Sequence, residues 1–99
     1  MAEEKQSEEI ARMPLPSGRQ TIGVVEARLG GNKLRVVCQD GKTRVCRIPG
    51  KYRSKLWIKE GDVVLVEPWE IQGDERGDVI FQYSKAQIEW LRKKKLLTL

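Results

Sequence analysis

The sequence contains no histidine and only two cysteines, Cys38 and Cys46. Two sulfurs cannot fill a tetrahedral zinc site, and no imidazole exists to complete one. No metal and no other cofactor is expected, and the two thiols read as buried side chains of a reducing cytosol rather than a disulfide. Catalytic signatures are missing too: there is no Gly-x-Ser-x-Gly elbow and no glycine-rich phosphate loop with its lysine. Without the usual active-site parts, the chain is not expected to be an enzyme. Long apolar runs are absent as well. The longest, such as Val63 to Val66, are about four residues, far from the roughly 20 that span a bilayer. The acidic first residues lack the apolar core of a secretory signal and oppose a transit peptide. The expectation is a cytoplasmic protein with no membrane contact. Aromatics are scarce, at 6%.

What the sequence does have is charge, unevenly placed. Its 99 residues give room for one domain, with a net charge of +5. From Arg28 to Lys59 there are ten cations and a single carboxylate, Asp40, a local charge of +9. From Glu60 to Asp78 seven acids face Arg76 alone, a local charge of −6. A segment this one-sided, folded into a small domain, puts a positive field on one face. A polyanion is the natural partner.

Residues 1 to 18 read as a flexible tail, rich in glutamate and then in Pro14, Pro16 and Gly18, with a short helix between Glu8 and Met13 as one option. Five strand-like runs follow: Gln20 to Leu29, Lys33 to Cys38, Thr43 to Ile48, Asp62 to Trp69 and Asp78 to Tyr83. Gly23 inside the first suggests a bulge or bend. A three-residue loop, Gln39 to Gly41 with Gly41 left-handed, would set Leu34, Val36 and Cys38 on one face with Arg44, Cys46 and Ile48. That register turns both cysteines inward. It leaves Arg35, Val37, Thr43, Val45 and Arg47 outward, and puts Arg44 at a rim where it reaches water. Five short strands with a long insertion between the third and fourth match the OB-fold, a five-stranded Greek-key barrel. Ser84 with Gln87 reads as a capping box opening a helix to about Leu96. Its apolar side would be Ile88, Leu91 and the stem of Lys95, with Trp90 nearby. The expected architecture is therefore all-β with a C-terminal helix: tail 1–18, barrel 19–83, helix and short tail 84–99.

The insertion carries the strongest chemical signal. Lys51, Arg53, Lys55 and Lys59 alternate with Tyr52, Ser54, Leu56 and Trp57, including a possible helical turn from Tyr52 to Trp57. Cations neutralise phosphates, and a ring can stack on an unpaired base for roughly 1–3 kcal/mol. Two roles stand open for Trp57, a base platform or a core residue. Tyr52 reads as structural, Trp69 as packed on the tail or helix, and Trp90 as the anchor of the helix. The candidate RNA-binding residues are Arg35, Arg44, Arg47, Lys51, Arg53, Lys55, Trp57 and Lys59.

The stretch KLRVVCQDGKTRVCRIPGKYRSKLWIK, from Lys33 to Lys59, resembles translation initiation factor 1A of archaea and eukaryotes. The motifs are Cys-x-Asp-Gly…Arg-x-Cys-x-Ile from Cys38 to Ile48, Gly-Lys-x-Arg-x-Lys-x-Trp-Ile from Gly50 to Ile58, then Gly61-Asp62 and Asp78-Val-Ile. The likeness covers residues 18 to 84, more loosely the helix, and the short tails look like the archaeal form. It implies an OB barrel of S1-like type bound to ribosomal RNA at the decoding site of the small ribosomal subunit, helping to place initiator tRNA on the start codon. It also implies contact with the initiator tRNA complex and other initiation factors. Carried over by motif, the RNA contacts are Arg44, Arg47, Lys51, Arg53, Lys55 and Trp57; Arg35 and Lys59 come from charge and facing alone. Eukaryotic members use a long acidic C-terminal tail to engage the initiation GTPase; the segment Lys95-Leu-Leu-Thr-Leu99 departs from that pattern. A monomer is expected. The alternatives are a general single-stranded RNA binder or RNA chaperone, and a protein adaptor using the acidic 60–78 segment and the helix as its surface. The low aromatic content and the arginine–valine strand face favour recognition of shape and backbone over the first of these.

Overall fold

The structure, a computed structural model, describes residues 8–53 and 56–99. Five strands form a closed barrel in the spatial order β1-β2-β3-β5-β4. They are β1 (Thr21–Gly30), β2 (Lys33–Cys38), β3 (Thr43–Arg47), β4 (Val63–Pro68) and β5 (Arg76–Gln82). All neighbours are antiparallel except β3 and β5, which run parallel. The architecture expected from the sequence, a five-stranded barrel with a C-terminal helix, is the one found.

The β2–β3 hairpin follows the three-residue reading. Leu34 pairs with Cys46 and Val36 with Arg44. The Cys38 and Lys42 backbones close the loop at 2.9 Å, and Gly41 takes φ 90°. That left-handed value suits glycine, which has no Cβ to clash. The side-chain period of two then sends both cysteines inward, where they are buried.

Gly23 has a different role from the bulge expected of it. The register shifts of β1 lie between Val25 and Ala27 and between Arg28 and Gly30. At Gly23 the strand pairs with Cys38 on one side and Val64 on the other. A Cβ there would stand 2.5 Å from Val36 Cγ1 and 3.0 Å from the Val37 carbonyl. Glycine is needed for close approach inside the barrel, not for a kink.

Two cores result. Val25, Leu34, Val36, Cys38, Cys46, Ile48, Ile58, Val64, Val66 and Val79 fill the barrel, with Tyr52 and Leu56 packed against them. Outside the wall, Met13, Ile22, Val63, Leu65, Tyr83, Leu91 and Leu97 form the second. β4 serves both: Val64 and Val66 point into the barrel while Val63 and Leu65 point away from it. The C-terminal helix, Lys85–Lys93, covers that outer face, opened by the Ser84–Gln87 capping box. It stops short of Leu96. Lys95 adopts φ 60° and stays exposed, so the chain reverses and Leu97, not the Lys95 stem, is buried.

Residues 8–12 are helical. Of the expected tail, Met13 is 7% exposed, the Tyr83 hydroxyl donates to the Pro14 carbonyl at 2.7 Å, and the Gln87 amide donates to the Glu9 carbonyl at 2.9 Å. Residues 9–14 thus cross the helix as a strap. Residues 1–7 of the expected tail lie outside the described residues.

Candidate nucleic-acid interface

The outward face of β2 and β3 carries Lys33, Arg35, Val37, Thr43, Val45 and Arg47, with Lys33 opposite Arg47 and Arg35 opposite Val45. On its other edge, Arg35 faces Ala27 of β1. Beside this face lies an open cleft of about 390 Å³ between the β1–β2 turn and the loop that follows β3. Its rim holds Arg28, Lys33, Arg53 and Trp57, its floor Leu34 and Ile48, and among the described residues no carboxylate lines it.

Each rim residue is placed by main-chain geometry. Arg28 pairs with Leu34 next to a register shift in β1. Gly30 and Gly31, both at positive φ, turn the chain tightly enough for Lys33 to return alongside. After β3, a 3₁₀ turn over Gly50–Tyr52 leads into the loop. Arg53 donates from Nε to the Ile48 carbonyl at 3.0 Å, which fixes the stem of the guanidinium and leaves its outer nitrogens for another partner. The Trp57 carbonyl accepts from the Gln82 amide at 3.1 Å, while the residue as a whole is 89% exposed. Of the two roles open for Trp57, core residue is thereby excluded. A bare indole costs solvation free energy that covering it recovers.

The candidate residues do not all gather there. Lys51 lies over the Tyr52 ring at 5.0 Å, and Tyr52 packs on the barrel core as expected. Lys59 is exposed but does not line the cleft; its backbone N–H donates to Asp62 at 2.9 Å. Lys55 lies outside the described residues, as does part of the helical turn expected from Tyr52 to Trp57.

Arg44 is a correction. It does not reach water at a rim but is 3% exposed. Its two Nη atoms donate to the Asp40 carboxylate at 3.1 and 2.8 Å, and Nε donates to the Gly73 carbonyl. The hydrogen bond from Arg44 holds the Asp40 carboxyl below the usual carboxylate range. The guanidinium is consumed in tying the hairpin to the β4–β5 loop and presents no charge to a ligand.

Arg47 is exposed but engaged. Its Nε donates to Asp78 at 2.9 Å, and its guanidinium lies 5.3 Å from the centre of the Trp69 ring. Trp69 therefore packs beside a cation rather than on the tail or helix. Trp90 fits its expected place, partly buried against the second core. Among the described cations of the 28–59 segment, Lys42, Arg44 and Arg47 have a carboxylate within 4.0 Å. Arg28, Lys33, Arg35, Lys51, Arg53 and Lys59 have none among the described residues.

Arg28 and Lys33 are cleft residues that stand outside the candidate contacts named from the sequence. Both belong to the basic segment, yet the shifted register of β1 is what brings Arg28 to the cleft, and a bulge leaves no trace in residue alternation. Charge together with proximity to the Gly-Gly-Asn turn was the one usable signal.

The family model described as translation initiation factor 1A / IF-1 matches residues 10–98. Translation initiation factor 1A of Pyrococcus abyssi is 48% identical over 93 residues, covering 94% of this chain and 82% of that protein. The Methanopyrus kandleri factor is 52% identical over 87 residues, covering 88% and 78%. Among solved structures, translation initiation factor IF-1 from the Wolbachia endosymbiont of Brugia malayi aligns with TM-score 0.52 at 30% identity, over 67% of this chain and 78% of that one. YjeQ from Thermotoga maritima aligns with TM-score 0.54 at 25% identity, over 66% of this chain and 23% of that longer one.

Proposed function

The chain belongs to the translation initiation factor 1A / IF-1 family, and on that premise we propose that it binds ribosomal RNA at the decoding site of the small ribosomal subunit and helps position initiator tRNA on the start codon. The family is one of non-enzymatic initiation factors. The observation that carries the reading is the cleft: Arg28, Lys33 and Arg53 around a solvent-facing Trp57, with no carboxylate among the described residues of the lining. Three cations there neutralise backbone phosphates and release their counterions, while the indole offers a flat face to an unstacked base. Arg35 widens the positive surface along β2, and Lys51 and Lys59 add to it from the loop. A rigid barrel holds these groups at fixed spacing, so a folded RNA site of matching shape is preferred over an unstructured strand. Occupying the decoding site blocks premature entry of elongator tRNA. The remaining partners in this reading are the initiator tRNA complex and other initiation factors, met by a cytoplasmic monomer.

RNA footprinting on purified small subunits, with and without the protein, tests this directly. Protection should fall on decoding-site nucleotides. Charge reversal at Arg53 and Lys55 should weaken subunit binding strongly while the far-ultraviolet circular dichroism stays unchanged. Equal affinity for small subunits and for unstructured RNA would defeat the reading and leave a general single-strand binder.

A further inference from the structure

On the other side of Lys33 from the cleft lies a second groove of about 280 Å³, between the outer face of β3 and the β4–β5 loop. Lys33, Arg47 and Arg76 line it together with Val45, Trp69 and Gln72. Lys33 and Arg47 are direct cross-strand partners, an arrangement that costs stability when two like charges stand side by side. Arg76 joins them from β5, whose backbone pairs with Val45. Lys33 and Arg76 have no carboxylate within ion-pairing distance among the described residues. Glu67 stands opposite Asp78 and Glu75 precedes Arg76, but among the described residues Asp78 is the acid within ion-pairing distance of a groove cation, and its contacts are specific. One oxygen, Oδ1, accepts both from Arg47 Nε at 2.9 Å and from the Trp69 indole N–H at 2.9 Å. The Trp69 ring flanks the same guanidinium at 5.3 Å. Arg47 is thus held by its inner nitrogen and by one face, with its two Nη atoms left over.

We propose that this groove is a second phosphate-binding subsite for RNA, with Lys33, Arg47 and Arg76 as its donors and with Trp69 and Asp78 as positioning residues that fix the Arg47 guanidinium. The inference rests on the RNA-binding reading above and adds to it a separate patch, reached by a different stretch of backbone from the one at Trp57. Holding a guanidinium in one rotamer lowers the entropy lost when it forks onto a phosphate. The half-neutralised triad costs stability in the free protein and is relieved when a phosphodiester enters between the three cations.

Affinity for purified small subunits, measured against salt concentration, tests it. Arg76→Gln should weaken binding about tenfold, as loss of one charge-assisted contact does, and lower the slope of log affinity against log salt by about 0.7–0.9. Asp78→Ala is the discriminating variant. Charge counting alone predicts tighter RNA binding after an acid is removed, whereas a positioning role predicts weaker binding. Trp69→Phe, which keeps a ring but loses the N–H, should weaken binding to a smaller degree; Arg47→Lys, a point charge without the fork, should not restore wild-type affinity. Thermal melting of each variant excludes loss of fold as the cause, and if Asp78→Ala unfolds, Trp69→Phe and Arg76→Gln carry the test. Unchanged affinity and slope for Arg76→Gln, or tighter binding by a folded Asp78→Ala, overturns the subsite. So does an Arg76→Gln effect seen with intact subunits and absent with protein-free ribosomal RNA, since the partner is then an acidic protein. If Arg53→Gln weakens binding and Arg76→Gln does not, the RNA reading survives and this inference falls. If neither does, the RNA reading itself falls.

Discussion

At the scale of single residues, Arg44 shows how one side chain is diverted from a ligand to the fold. Its guanidinium joins the β2–β3 turn, through Asp40, to the β4–β5 loop, through the Gly73 carbonyl. Removing it leaves a carbonyl without its donor and a carboxylate without its cation. Arg44→Ala should cost about 3 kcal/mol, the lower end for a broken buried pair, since Asp40 keeps some contact with water; chemical denaturation measures this. The pairing has a pH signature as well. The Asp40 pKa is depressed in the folded state, so its stabilisation is complete above the ordinary carboxylate pKa of about 3.9 and is lost as pH falls through the depressed value. Asp40→Asn should lower the melting temperature at neutral pH and reduce the further loss that acid brings below about pH 4. Trp57 is the opposite case. With 89% of the residue exposed, Trp57→Ala should change stability by no more than about 0.5 kcal/mol. It should nonetheless weaken RNA binding by roughly 1–3 kcal/mol if the ring stacks. Titration against small subunits alongside a thermal melt separates the two effects.

At the scale of elements, the β2–β3 hairpin was legible because alternation and loop length together admit one register that buries both cysteines. The capping box was legible because Ser84 and Gln87 stand at the required spacing. Other features were set by partners distant in sequence. Arg44 is sealed by a carbonyl 29 residues further on, and no local rule finds that. The reversal at Lys95 has no glycine to announce it, so the helix read too long and Leu97 went unnoticed. The strap formed by residues 9–14 is composed like a solvated segment, and its docking depends on Tyr83 and Gln87, which the chain reaches about seventy residues later. At the candidate interface, the basic segment and the loop after β3 were visible as charge, whereas the placing of Arg28 needed the irregular register of β1. The C-terminal helix offers a test at this level. Leu91, fully buried beneath it, anchors it to Ile22, Val63 and Leu65. Leu91→Ala should cost about 2–5 kcal/mol. It should also raise amide exchange across both the helix and the strap, which shares its socket through Met13.

At the scale of the molecule, charge and burial govern what the outside world can reach. Six described cations of the basic segment stand without carboxylates, so binding to RNA should fall steeply as salt rises; affinity unchanged between low and moderate salt would contradict this. The thiols are sealed instead. Burial pushes Cys46 up to about 12 and raises Cys38 too, so neither is a thiolate near neutrality. Alkylating reagents at about pH 8 should leave both untouched in the native protein and label both in denaturant, as mass spectrometry can count.

The two-faced wall of β4 has a consequence for the chain before it folds. Val63, Val64, Leu65 and Val66 have no polar alternation to keep them apart from other extended segments, because each face of the strand has a core of its own. On a nascent or refolding chain, such a run of β-formers is a nucleus for aggregation. It is bracketed by Glu60 and Asp62 before it and by Glu67 and Pro68 after it, the charges and ring that disfavour stacking against a neighbour. Part of the acidity that offsets the basic segment is thus also the guard that lets a doubly buried strand be synthesised safely.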